Sequence, residues 1–159
     1  MKVQVVDYQS DNAAQDFVES LKSTGFGVLK NHPIKQSLVD SIYQHWYEFF
    51  TEGDPAEFAF DPQKQDGYFA PEISETAKGH SKKDLKEYYH IYPWGRIPST
   101  LKDEIIEYYE STSALAAQLL DWVEQYSPAD IAKKYSEPLS NMIKDTPNTL
   151  LRVLHYPPL

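Results

Sequence analysis

There is no cysteine in the 159 residues, so neither a disulfide nor a thiolate nucleophile or metal ligand can form. A reducing, intracellular compartment is compatible with that composition, and a cytoplasmic location is the expectation. Glycine is sparse, with six residues scattered singly, which excludes a glycine-rich phosphate loop. A Gly-x-Ser-x-Gly nucleophile elbow is missing as well. Nothing approaches 18 uninterrupted apolar residues, the length a membrane span needs. The first thirty residues lack a basic segment followed by an apolar one, so no signal peptide is expected. Basic charge is in the minority: 15 Lys and Arg face 24 Asp and Glu, for a net charge of −9 and a pI near 4.9. That balance argues against nucleic acid as a partner, because phosphate neutralisation needs a basic face. It argues equally against a polybasic membrane patch.

What is present is a globular composition, 41% hydrophobic and 14% aromatic, with 12 Tyr, 7 Phe and 3 Trp. Rings with polar tips in that number imply an aromatic core or cleft. The length fits one domain with a real core, and no repeat, low-complexity stretch or linker interrupts it.

The stretch Gly25-Phe26-Gly27-Val28-Leu29-Lys30-Asn31-His32-Pro33-Ile34 reads as a short, largely buried strand between two amphipathic helices. Gly25 stands where the first helix should end in a left-handed turn, and Asn31 to Pro33 stops the strand. Before it, Lys2–Tyr8 has strand character, with Val3, Val5 and Val6 as inward candidates. The helix over Asp11–Thr24, capped by Ser10 or Asp11, places Ala14, Phe17, Val18 and Leu21 on one face. A second helix over Lys35–Thr51 carries Leu38, Val39, Ile42, Tyr43, Trp46, Phe49 and Phe50 on its apolar side.

Residues 52–65 show no regular pattern, Gly67–Ala70 reads as a short strand stopped by Pro71, and 72–84 reads as a surface loop. In Leu85–Tyr92, alternation sets Tyr88, His90 and Tyr92 on one side and Glu87, Tyr89 and Ile91 on the other. The longest helix opens near Pro98 and runs to about Tyr126, with Ile105, Tyr108, Thr112, Leu115, Leu119, Trp122 and Tyr126 facing inward. Ser127-Pro128 breaks it, short helical turns follow around Ile131 and over 138–144, and Thr149–Tyr156 is a strand ended by Pro157-Pro158.

The five histidines are His32, His45, His80, His90 and His155, and none has another histidine four residues away or an aspartate two residues on. His45 and Glu48 lie one helical turn apart and could share a metal, although a solvated helix face is the plainer reading. His90 and Glu87 have opposite strand parity and should not converge.

Three stretches in order resemble one known family. GFGVLKNHPI (25–34) is similar to a GFF-hydrophobic-xNHG-hydrophobic element. Residues 66–92 resemble a GYxxxGxExxxG segment followed by a D-x-KE strand, through Gly67, Tyr68, Glu75, Gly79, Asp84, Lys86 and Glu87. Leu151-Arg152-Val153-Leu154-His155-Tyr156-Pro157-Pro158 resembles an LRxxxYPP strand. On this colinear match the chain is identified as a member of the isopenicillin N synthase-like 2-oxoglutarate/iron oxygenases, as their N-terminal portion.

The resemblance implies an α+β fold in which N-terminal helices and strands (1–148) pack on the start of a double-stranded β-helix, or jelly roll. Its first strand would be 149–159, and the rest is absent from this chain. It implies Fe(II) and 2-oxoglutarate as cofactors of the complete protein, which would hydroxylate or desaturate a small molecule. The family holds iron through a His-x-Asp pair and a distant His, and these, with an Arg for the co-substrate, belong beyond Leu159. No catalytic or metal-ligating residue is therefore assigned here, no cofactor is expected on residues 1–159 alone, and the chain alone is expected to be inactive. Tyr156 matches the family tyrosine that donates to a co-substrate or substrate carboxylate; a core tyrosine bonded to a backbone carbonyl is the alternative. Leu154 stands where many plant members have Asn, and Arg152 reads as a structural pairing residue. Tyr68 and Phe69 match positions near the substrate mouth and are equally good core residues. A non-catalytic accessory domain and a family oxidase without 2-oxoglutarate are the rival readings. Self-association through the uncovered core face is the partner expectation beside the small-molecule substrate, with neither nucleic acid nor membrane.

Overall fold

The computed structural model describes residues 2–73 and 85–158; the motif positions Glu75, Gly79 and Asp84, and His80, lie outside the described residues. In chain order the elements are β1 (Val5–Asp7), α1 (Ala13–Thr24), β2 (Val28–Lys30), α2 (Gln36–Thr51), β3 (Gly67–Phe69), β4 (Glu87–Ile91), α3 (Lys102–Gln125), α4 (Ala129–Ala132) and β5 (Leu151–His155). They form two compact units, one of Met1–Ile34 with Glu110–Thr146 and the other of Lys35–Tyr109 with Pro147–Leu159. Helices and small sheets are mixed in sequence, as expected for an α+β chain.

In the first unit β1 and β2 pair in parallel, with Val5 opposite Val28 and Val6 opposite Leu29. A two-stranded sheet with one covered face buries alternate residues only. Val6 and Leu29 take that face and pack with Ala13, Phe17, Leu119 and Trp122. Val5 and Val28 therefore point outward, 58% and 43% exposed, against the expectation that both lie inward. Phe26, also expected in a largely buried strand, is 65% exposed ahead of β2.

The buried stripe of α1 is Ala13, Phe17 and Ser20, one residue off the expected Ala14-centred register at its start. Neither Ser10 nor Asp11 caps it: Asn12 holds the cap position with no side-chain cap bond, and the Ser10 carbonyl accepts from Ala13 N–H at 3.0 Å. The helix ends as the sequence indicates. Gly25 adopts φ +78° and donates its N–H to the Leu21 carbonyl. Gly27 is required for a different reason, since a Cβ there would stand 2.2 Å from the Phe17 ring.

The second unit is built on an antiparallel sheet in the order β3-β4-β5. Its central strand is buried on both faces, and the expected parity holds. Tyr89 and Ile91 join Ile42, Trp46, Leu101 and Ile105 in one cluster. On the opposite face Phe69 stacks on Tyr88 and meets His90 at a tilt, at centroid distances of 4.5 and 4.4 Å. The Arg152 guanidinium lies 4.8 Å from the Tyr88 ring centre, a cation–π contact. Along α2, Ile42 and Trp46 are buried, whereas Tyr43, expected on the apolar side, is 76% exposed because the covered arc is narrower than the apolar stripe. The stretch 52–65 is not wholly irregular: Pro55–Phe58 forms a single 3₁₀ turn, and Ala59 bridges to Tyr68.

Candidate functional site

The last strand carries the candidate. Leu151, Val153 and His155 lie on the α2 side of β5, where Leu151 and Val153 join the core cluster and His155 stacks on Phe50 at 5.4 Å. Tyr156 follows the strand and precedes Pro157-Pro158, two residues that have no N–H to extend the ladder. Its side chain is 59% exposed, and among the described residues its hydroxyl has no hydrogen-bond partner. It borders a cavity of about 660 Å³ whose wall includes Ile42, Trp46, Tyr47, Phe50 and His155. A mostly apolar wall with few polar tips suits a small organic ligand.

Under this wall runs a cross-strand link. Glu87 of β4 is the ladder partner of His155 and accepts from its Nδ1 at 2.7 Å. The other Glu87 oxygen accepts from the Tyr68 hydroxyl of β3. Burial and then this carboxylate hold the Tyr68 phenol well above its ordinary pKa, so it keeps the proton it donates to Glu87. One carboxylate thus joins all three strands at the β5 end nearest Tyr156.

Of the three residues expected at the site, Tyr156 alone offers an unengaged polar group. Tyr68 is committed to Glu87, and Phe69 sits in the Tyr88–His90 stack on the other face of β3. The structure therefore does not bring Tyr68 and Phe69 together on one face, as alternation along a strand requires.

Three histidines, His45, His90 and His155, are bound to protein partners, whereas His32 Nδ1 is buried without one among the described residues. His90 Nδ1 meets the Gln65 carbonyl at 3.1 Å and its Nε2 accepts from Arg152 Nε at 3.0 Å, which sets the proton on Nδ1. Arg152 is thus the structural pairing residue the sequence indicates. His45 does not share anything with Glu48: its Nδ1 meets Glu104 at 2.9 Å, beside Ser41, while Glu48 accepts from Gln44. Among the described residues no three His, Asp, Glu or Cys side chains converge as a metal-holding group. The donors at hand do not fit an iron site, and no chemical step is assigned to iron on these residues. For 2-oxoglutarate they offer neutral donors, Tyr156 with Tyr43 and Tyr47 on the same cavity wall, since both guanidinium groups are engaged.

Sequence reasoning missed the second anchor of this unit, Asp66–Arg96. Asp66 is fully buried and receives Arg96 Nη2 at 2.9 Å and the Arg96 backbone N–H at 2.7 Å. Burial lifts the carboxyl, but the hydrogen bonds from Arg96 outweigh it, and Asp66 sits below its ordinary value. Gly67 (φ +98°) lets the chain pass, since a Cβ there would stand 2.4 Å from the Phe58 carbonyl and 2.8 Å from Arg96 Nη2. The one available signal was the Asp66-Gly67 pair opening a strand, which marks a special backbone position without naming its partner.

Residues 3–104 match the model of a family described as non-haem dioxygenase in morphine synthesis, N-terminal. Among curated proteins no relative matches. Among solved structures, a candidate oxygenase from Shewanella oneidensis is 53% identical over 100% of this chain, with a TM-score of 0.90. A candidate 2-oxoglutarate–Fe(II) oxygenase family protein from Caulobacter crescentus is 22% identical over 99% of the chain, with a TM-score of 0.74. A full-length Neurospora crassa protein solved in complex with alpha-KG is 19% identical over 98% of it, with a TM-score of 0.69. The two more distant likenesses show a shared fold alone. This chain spans 57%, 57% and 54% of those three chains. With the family model matched over most of its length, the chain belongs to the non-haem 2-oxoglutarate/Fe(II) oxygenase family and carries that family's N-terminal portion.

Proposed function

We propose that this chain is the N-terminal helix-and-strand part of an oxygenase that uses iron and 2-oxoglutarate to hydroxylate or desaturate a small molecule. Residues 149–159 start the jelly-roll core in this reading, and Tyr156 donates its hydroxyl proton to a carboxylate of co-substrate or substrate. The observation that carries it is the unpartnered, exposed Tyr156 hydroxyl beside an apolar cavity. A phenol is a neutral donor on a rigid ring, so it can meet a carboxylate without desolvating a second charge. A cytoplasmic location without a nucleic-acid or membrane partner belongs to the same reading and is supported by the acidic, cysteine-free composition. No helix among the described residues is long and apolar enough to cross a membrane.

Tyr156→Phe keeps the ring and removes the donor. In the complete protein it should weaken 2-oxoglutarate or substrate binding by about 0.5–3 kcal/mol, depending on the charge of the partner, and leave the melting temperature almost unchanged. Calorimetric titration and a thermal melt measure the two effects; equal losses in both would make Tyr156 a structural residue instead.

The 159-residue chain made alone should be inactive and self-associating. Its described His45, His90 and His155 are held by Glu104, by Gln65 with Arg152, and by Glu87. β5 is an edge of its sheet, with Leu154 and Tyr156 exposed beside it, and such edges pair with other chains. Anaerobic titration with ferrous iron and 2-oxoglutarate should give no visible charge-transfer band, and sedimentation should give species larger than a monomer. A band that saturates at one iron per chain, or a clean monomer, overturns the corresponding half of this expectation.

A further inference from the structure

We propose that Glu87 is a positioning residue for Tyr156, acting through His155 as a clamp on the last rung of the β4–β5 ladder. The inference rests on the reading of Tyr156 as a carboxylate donor and goes beyond it by saying what holds that donor in place.

Glu87 and His155 form the outermost register pair at this end of the ladder. The chain beyond has little else to order it. Pro157 and Pro158 have no N–H, the outer edge of β5 pairs with no other strand among the described residues, and Tyr156 makes no ring contact there. The direction of the Tyr156 ring therefore follows the backbone at residue 155. That backbone is held by its side chain: His155 Nδ1 is 2.7 Å from Glu87 Oε1, and the imidazole lies flat on Phe50 at 5.4 Å and edge-on to Tyr47 at 5.8 Å. Glu87 is itself fixed by the Tyr68 hydroxyl on its second oxygen, so it cannot swing away from the histidine without losing both bonds. The His155 and Glu87 side chains are only 15% and 13% exposed, so water competes poorly for this link. A terminal rung frays first in an unsupported strand, and a charge-assisted bond across it suppresses the fraying.

Amide hydrogen exchange in the complete protein, with neither metal nor co-substrate added, tests the clamp. His155→Phe keeps the ring on Phe50 and removes the donor. Exchange at Leu154–Tyr156 should then quicken about tenfold, as expected for losing one hydrogen bond to a charged group, with less than about threefold change at Leu151 and Arg152. His155→Asn sets an amide nitrogen near the place of Nδ1 and should recover most of the protection. Where His155→Phe does not fold, Tyr68→Phe frees one Glu87 oxygen and should quicken the same amides about threefold. Exchange at Leu154–Tyr156 that stays within about twofold of the unaltered chain in the variant that folds overturns the clamp. Its failure is distinct from failure of the donor reading. Unchanged binding of both 2-oxoglutarate and substrate in Tyr156→Phe removes the carboxylate contact, and with it the reason for positioning Tyr156, even if the exchange data show a clamp.

Discussion

Trp46→Ala is expected to lower the unfolding free energy by about 3–5 kcal/mol, the usual cost of emptying a closed aromatic site. Trp46 is 1% exposed and sits at the junction of α2 with the β-sheet. Its ring meets Tyr89 at 5.1 Å and Phe49 at 5.2 Å, both edge-on, and Phe50 at 6.1 Å. Each contact disappears with the indole, and neighbours this large cannot collapse into the space. Trp46 Nε1 is a buried donor without a hydrogen-bond partner, so the indole already carries an unmet cost. Trp46→Phe should therefore cost clearly less than its lost volume implies. Urea unfolding followed by circular dichroism measures both variants, and a loss under about 1 kcal/mol in the alanine variant contradicts the packing described.

Asp66→Ala should cost about 3 kcal/mol, near the low end for breaking a buried ion pair. The discount reflects Arg96, whose side chain is 36% exposed and can recover some hydration. What cannot be recovered is the backbone N–H of Arg96, which gives its bond to Asp66 Oδ2 at 2.7 Å. The pH dependence follows from the depressed carboxyl. Its contribution is fully present above the ordinary value of 3.8 and is lost as pH falls through the lower folded-state value. Asp66→Asn should flatten that acid limb and leave the neutral-pH slope alone. Unfolding free energies from about pH 1.5 to 7 decide it: an unchanged acid limb in Asp66→Asn shows that other carboxylates govern acid stability.

The helices were legible because each has a periodic apolar stripe and a local stop. Gly25 ended α1 in the left-handed turn that its place in the sequence required, and the parity of β4 followed from simple alternation. The family was legible too, because the LRVLHYPP and GFGVLKNHPI stretches are local, contiguous patterns. Burial of the short strands was not legible. Val28 and Val6 have the same side chain, and only the partner strand and its single covered face decide that one is 43% exposed and the other 2%.

The polar partnerships were hidden for a related reason. Glu87 meets His155 across 68 residues of chain, Asp66 meets Arg96 across 30, and His45 finds Glu104 across 59. Nothing in the spacing of such residues encodes those distances, and the i,i+3 neighbour Glu48 was the wrong partner for His45. Local sequence determined element type, the parity of β4 and the family, because those depend on backbone preferences and period over a few residues. Tertiary structure alone decided which charges pair and which tyrosine hydroxyls are engaged, because burial makes a polar group find a partner wherever the fold brings one within reach.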